Sequence, residues 1–236
     1  MNQFHYQNIL SDISEGKKSL AILIDPDKFS TSDTASFLQQ LPTETTHLFV
    51  GGSTDANGHT EATVKVLKNH SQLPVILFPG DHTQITKFAD AILFLSLLSG
   101  RNPEYLVGQQ LKAVEKLKES KLEVIPTGYI LVDGGTESAV ARVSNTKPLS
   151  QDAVSTIVHT AMAGEFMGAK LIYLEAGSGA INPVRPEIIS EVKKAINIPL
   201  IVGGGIKTEA QKQAAYKAGA DLIVMGTAFE KNYKVN

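Results

Sequence analysis

The 236-residue chain has no cysteine, which excludes disulfides, thiolate metal sites and cysteine nucleophiles. It has no surplus of positive charge either: 22 Lys and Arg face 24 Asp and Glu, a net charge of −2 with six neutral histidines. That balance leaves nothing to neutralise a nucleic-acid backbone or an anionic membrane, so nucleic acid is not an expected partner. Long apolar runs are also missing. The longest, residues 91–98 with Ser96 inside it, falls far short of the roughly 20 residues that cross a bilayer, and no membrane span is expected. Residues 1–14 are polar and lack the basic segment, apolar run and small-residue cleavage site of a secretory signal. The expected compartment is the cytoplasm. Low-complexity tracts and visible domain boundaries are absent as well.

What is present is a regular alternation. Short apolar, β-rich runs occupy residues 21–24, 48–50, 75–78, 91–95, 122–125 with 129–132, 171–174, 200–202 and 222–225. Such runs read as strands buried on both faces. Helix-like patterns fill intervals such as 104–119, 185–196 and 208–218. Strand-then-helix repetition means parallel strands with helical crossovers, and eight units in a chain of this size predict a single (β/α)8 barrel, an α/β fold of the TIM-barrel type, spanning residues 1–236 as one domain. Two intervals depart from the pattern. Residues 79–90 are too few for a helix and two loops, so the third helix is expected to be reduced or missing. Residues 133–170 are too many; with Gly134-Gly135, a Lys147-Pro148 break and a helix from about Gln151, they predict an ordered insertion over the active face.

In these barrels the residues just after each strand share one mouth, where chemistry takes place. Gly203-Gly204-Gly205 after the seventh strand and Gly226-Thr227 after the eighth fit a phosphate site built from backbone N–H groups, with Gly177-Ser178-Gly179 after the sixth as a third set of donors. The glycines match neither a Walker pattern nor the dinucleotide fingerprint, so a nucleotide is not indicated. Asp25 and Asp27 after the first strand are carboxylates at a mouth committed to phosphate, which a Mg²⁺ ion reconciles; one carboxylate with a hydroxyl such as Ser53 suffices. The alternative for Asp25-Pro26-Asp27 is a plain turn with an N-cap. Glu175, ending the sixth strand ahead of the glycines, is placed to act as a base toward a hydroxyl on a phosphorylated molecule, or else to be a salt-bridged rim carboxylate. Of the histidines only His82 falls on a catalytic-face loop.

Taken together, Asp25-Pro26-Asp27-Lys28, Gly51-Gly52-Ser53, Tyr173-Leu174-Glu175-Ala176-Gly177-Ser178-Gly179, Gly203-Gly204-Gly205-Ile206 and Gly226-Thr227 resemble the geranylgeranylglyceryl phosphate synthase family. The likeness covers most of the chain. It implies a Mg²⁺-dependent prenyltransferase that joins a polyprenyl diphosphate to the 3-hydroxyl of sn-glycerol 1-phosphate and releases diphosphate. By the same resemblance Asp25 and Ser53 are the metal ligands and Glu175 is the catalytic base. Tyr173, Leu174, Glu175, Ala176, Gly177, Ser178, Gly179, Gly203, Gly204, Gly226 and Thr227 then form the glycerol phosphate site. Residues 96–105 resemble the family's segment after the fourth strand, although some relatives carry a tryptophan near it and this chain has none. A homo-oligomer is expected, with membrane contact only transient, at product release.

For the apolar substrate, Ile76, Phe78, Leu95, Leu97 and Tyr129 are candidates for a greasy groove, or alternatively ordinary barrel core. Other phosphate-binding barrels, such as a sugar-phosphate isomerase or cyclase or a flavin phosphate enzyme, remain open on the glycine loops alone. So does a non-catalytic phosphometabolite-binding module, against which the pair Asp25 and Glu175 argues.

Overall fold

The computed structural model describes residues 3–52, 55 and 58–226. Eight parallel strands close on themselves in sequence order: β1 (Ser19–Ile24), β2 (Thr45–Val50), β3 (Val75–Leu77), β4 (Ala91–Leu97), β5 (Glu123–Leu131), β6 (Leu171–Glu175), β7 (Leu200–Gly203) and β8 (Leu222–Met225). Closure is completed by β1 against β8, with Ala21 beside Val224. The helices are α1 (Phe4–Ser14), α2 (Thr34–Gln39), α3 (Thr60–His70), α4 (Gln109–Glu119), α5 (Ala139–Ser144), α6 (Val154–Phe166), α7 (Pro186–Ala195) and α8 (Glu209–Ala218).

Because side chains alternate along a strand, each strand serves two cores. On β6, Leu171 and Tyr173 join the cluster inside the barrel, while Ile172 and Leu174 join the cluster between sheet and helices. The continuous apolar runs of the sequence are therefore two interleaved faces. The two runs read at 122–125 and 129–132 are one strand, paired with β4 without a break through Pro126, Thr127 and Gly128. Pro126 fits because its carbonyl faces Lys170 N at 2.7 Å, just before β6 begins, so its missing N–H takes no ladder bond away.

The third crossover carries a single 3-10 turn, His82–Gln84, and no α-helix, as its short interval requires. The long 133–170 interval divides in two. Its second half is α6, an ordinary crossover helix packed on α7 and β5. Its first half is the insertion, holding α5 and a short bridge from Leu149 to Val132.

The polar N-terminal stretch forms α1, whose first turn is held from a distance. The Glu123 carboxylate accepts His5 N at 2.7 Å and Tyr6 N at 2.8 Å, while Tyr6 and Ile9 are buried. Tyr6 joins the inner cluster, so α1 caps the end of the barrel opposite the glycine loops. Glu123→Ala should leave both amides without their acceptor and lower stability by about 1–3 kcal/mol. Hydrogen exchange should rise in α1 alone, with turnover unchanged; protection of α1 equal to that of the parent would remove this anchoring role.

Candidate active site

A cavity of about 540 Å³ opens at the C-terminal ends of the strands. Asp25, Tyr173, Glu175, Ser178, Gly204 and Gly226 all line it. Gly203 borders it, since a Cβ there would lie 2.3 Å from Tyr173 Oη and 3.0 Å from Glu175 Oε2. The pleat separates the others. Leu174 and Ala176 bury their side chains in the helix-facing core, so only their backbone is near the mouth. Gly177 and Gly179 lie in the loop beyond β6 with φ of +100° and +76°, conformations that favour glycine. Ser53 and Thr227 lie outside the described residues.

Glu175 is buried, and burial pushes its carboxyl up to about 7, against the opposing pull of the Tyr173 hydroxyl and the Gly177 N–H. Gly177 N donates to Oε1 at 2.7 Å. The Tyr173 hydroxyl lies close enough to favour the anion, but it meets no acceptor in hydrogen-bond geometry and is an unsatisfied buried donor facing the site. Burial, and then the Glu175 charge, keep the Tyr173 and Tyr129 phenols well above their usual range, so both remain protonated. The β7 loop crosses over this carboxylate. At Gly204, with φ of +79°, a Cβ would stand 2.2 Å from Glu175 Oε1 and 2.6 Å from the amide nitrogens of Ala176 and Gly177. Glycine there leaves room for the carboxylate beneath the loop.

Asp25 is both a turn residue and a cavity residue. Its Oδ1 accepts Asp27 N at 3.1 Å and its Oδ2 meets Lys28 Nζ at 2.8 Å. The carboxylate faces Gly52, where a Cβ would lie 3.2 Å from Oδ1. Asp27 belongs to a different group: one ligand atom each from Asp27, Asp55 and His59 lies within 4.8 Å of the others. Asp55 is engaged there in holding the start of α3, through His59 N at 2.7 Å and Thr60 N at 3.0 Å. His82 lines the cavity with Nδ1 2.9 Å from Gln109 Oε1, an acceptor, which assigns the proton to Nδ1.

The other half of the cavity is apolar. Phe78, Leu95, Leu97 and Tyr129 line it, whereas Ile76 lies wholly in the inner core beneath. Phe78 stacks on Tyr173 at 5.2 Å between centroids and lies 6.0 Å from Tyr129. Tyr105, Ala113 and residues of α5, among them Val140 and Val143, enclose it further. Sequence reasoning did not single out the α5 residues or Lys207; their signals were the over-long interval before β6 and a lysine just past the glycine run.

The chain matches the PcrB family over residues 11–236. It is 59% identical over 214 residues to the geranylgeranylglyceryl phosphate synthase of Zunongwangia profunda, covering 91% of this chain and 92% of that protein. Two solved structures superpose closely. The (S)-3-O-geranylgeranylglyceryl phosphate synthase of Thermoplasma acidophilum, in complex with its substrate sn-glycerol-1-phosphate, gives a TM-score of 0.88 at 35% identity, covering 98% of this chain and 93% of the other. Wild-type GGGPS from Thermoplasma volcanium gives 0.89 at 38%, covering 94% and 89%. With its third crossover reduced to one 3-10 turn and Glu175 set beneath the glycine loops, the chain belongs to the PcrB family, that of the geranylgeranylglyceryl phosphate synthases.

Proposed function

We propose that this chain transfers a polyprenyl group, geranylgeranyl in the first instance, from its diphosphate to the 3-hydroxyl of sn-glycerol 1-phosphate in a Mg²⁺-dependent reaction. The observation that carries the reading is the position of Glu175, a buried carboxylate with a pKa near 7 at the junction of the glycine loops and the aromatic half of one cavity. The glycine loops offer backbone N–H groups to the phosphate. The half lined by Phe78, Leu95, Leu97 and Tyr129 takes the apolar chain and excludes water.

In the reaction the hydroxyl oxygen forms a bond to the allylic C1, the bond from C1 to the diphosphate oxygen breaks, and the hydroxyl proton goes to Glu175. Asp25 together with Ser53 suits a hard cation that keeps most of its waters, since one carboxylate and a hydroxyl supply oxygen ligands only. Mg²⁺ so held would neutralise the charge of the departing diphosphate. Sugar-phosphate chemistry would not need an apolar half of this extent beside the base.

The same reading makes the protein a cytoplasmic enzyme, in keeping with a water-soluble acceptor; among the described residues no helix is long and apolar enough to cross a membrane. It also includes a homo-oligomer, for which the exposed Val107, Leu111 and Val114 along α4 and the turn before it offer apolar surface.

Incubation with labelled sn-glycerol 1-phosphate, Mg²⁺ and a set of prenyl diphosphates, followed by extraction into organic solvent, tests the activity; no extractable label with any donor would refute it. Asp25→Asn should keep the turn, because an amide oxygen still accepts from Asp27 N, while the Mg²⁺ needed for half-maximal diphosphate release rises steeply. An unchanged Mg²⁺ requirement would take Asp25 out of the metal site.

Glu175→Gln should lower turnover by roughly 10²- to 10⁴-fold with glycerol phosphate affinity largely kept. In the parent enzyme kcat/KM should rise with pH through about 7 as the base ionises, and the variant should lose that limb. Stability runs the other way. A carboxyl raised from 4.5 to about 7 makes the folded state the better proton binder, so the parent loses stability as pH climbs through that window. The variant should gain on it over the same window, by up to about 3 kcal/mol. Equal pH profiles of activity in the two proteins would exclude Glu175 as the base.

A further inference from the structure

The basic side chains lining the cavity, among the described residues, are Lys28, His82, Arg142 and Lys207. Most are already committed. Lys28 Nζ is 2.8 Å from Asp25 Oδ2, Arg142 Nη1 is 4.0 Å from Glu137 Oε2, and His82 Nδ1 is turned onto Gln109. Lys207 differs from Lys28 and Arg142: its Nζ donates to the carbonyl of Ala180 at 2.8 Å, a neutral acceptor, and among the described residues it has no carboxylate partner. An ammonium has three donors, so two remain for something else.

Its location says what that is. Lys207 follows the Gly203–Gly205 run on the β7 loop, and Ala180 follows Ser178 and Gly179 on the β6 loop. The two loops are in contact, since a Cβ on Gly205 would lie 3.0 Å from Pro183 N and 3.2 Å from Ala180 Cβ. The ammonium thus bridges the two loops whose amides were assigned to phosphate. Those amides are dipoles and carry no net charge. The acids lining the same cavity are Asp25, Asp81, Glu137 and Glu175. A phosphate monoester close to −2 in charge would therefore enter a field with little to offset it.

We infer that Lys207 is a substrate-binding residue for the phosphate group of the acceptor, supplying the one lysine or arginine charge of the cavity that, among the described residues, no carboxylate neutralises, while its third N–H holds Ala180 in place. The inference rests on the acceptor being a phosphate monoester bound at the glycine loops.

Three variants separate charge from bracing. Lys207 is exposed, so its replacement leaves the core intact. Lys207→Met removes both charge and donor, Lys207→Gln keeps an N–H for Ala180 without the charge, and Lys207→Arg keeps both. Titration calorimetry with sn-glycerol 1-phosphate should show affinity falling about 10- to 100-fold in the Met and Gln variants, with most of it restored by Arg. The KM for prenyl diphosphate should stay within about twofold, because the lost charge acts on the other substrate. The parent's affinity should weaken with added salt more steeply than that of the Gln variant. Parent-like affinity in Lys207→Gln would reduce Lys207 to a brace and overturn the inference, as would parent-like affinity in Lys207→Met. Failure of the parent itself to bind glycerol 1-phosphate would instead count against the assigned function.

Discussion

The site depends on a carboxylate that is almost wholly buried yet still borders the cavity. Glu175 is held by one amide, from Gly177, and is surrounded by positions at which a side chain would collide with it: Gly203 and Gly204 on the neighbouring strand and loop. The two loops can lie across each other only because those positions lack a Cβ. The glycine run thus allows the close approach that leaves room for the carboxylate. A larger residue at Gly204 would displace the Glu175 carboxylate and the start of the loop after β6 together.

Around that point the barrel divides its labour by the pleat. Tyr173 and Glu175 point inward and Leu174 and Ala176 outward, so a continuous stretch of motif yields functional side chains only at alternate positions. Phe78 and Tyr129, in the apolar half of the cavity, pack on Tyr173 from the strand that carries Glu175. The opposite end of the barrel is closed by α1 and carries none of the assigned chemistry. Stability and catalysis are served by different ends of the same strands.

Much of this was legible in the sequence because parallel strands buried on both faces read as unbroken apolar runs, and because missing or surplus chain length shows directly in the spacing. The third crossover and the insertion before α6 were visible for that reason. β5 shows in the sequence as two apolar runs, 122–125 with 129–132, because Pro126, Thr127 and Gly128 interrupt the apolar pattern, and the three-dimensional ladder runs through all three without a break. α1 was passed over as merely polar because its anchor, Glu123, is 118 residues from His5. Lys207 was invisible for a subtler reason. A lysine beside a glycine loop means little until the partners of every other cation in the cavity are known.

The raised pKa of Glu175 links stability to function through one physical cause. A carboxylate near 4.5 would be fully ionised at neutral pH, yet a weak base toward an alcohol; near 7 it is a better base and is still about half ionised. Burial produces that gain and also destabilises the folded protein above the carboxylate's unfolded pKa, because the charged form has lost its water. Hydrogen bonds to the anion would relieve the destabilisation, and the structure supplies few: one backbone N–H, with the Tyr173 hydroxyl nearby but unpaired. A fully satisfied Glu175 would sit lower in pKa and be a poorer base. The unpaired Tyr173 hydroxyl and the sparse hydrogen bonding around the carboxylate are therefore what the role proposed for Glu175 requires of this position.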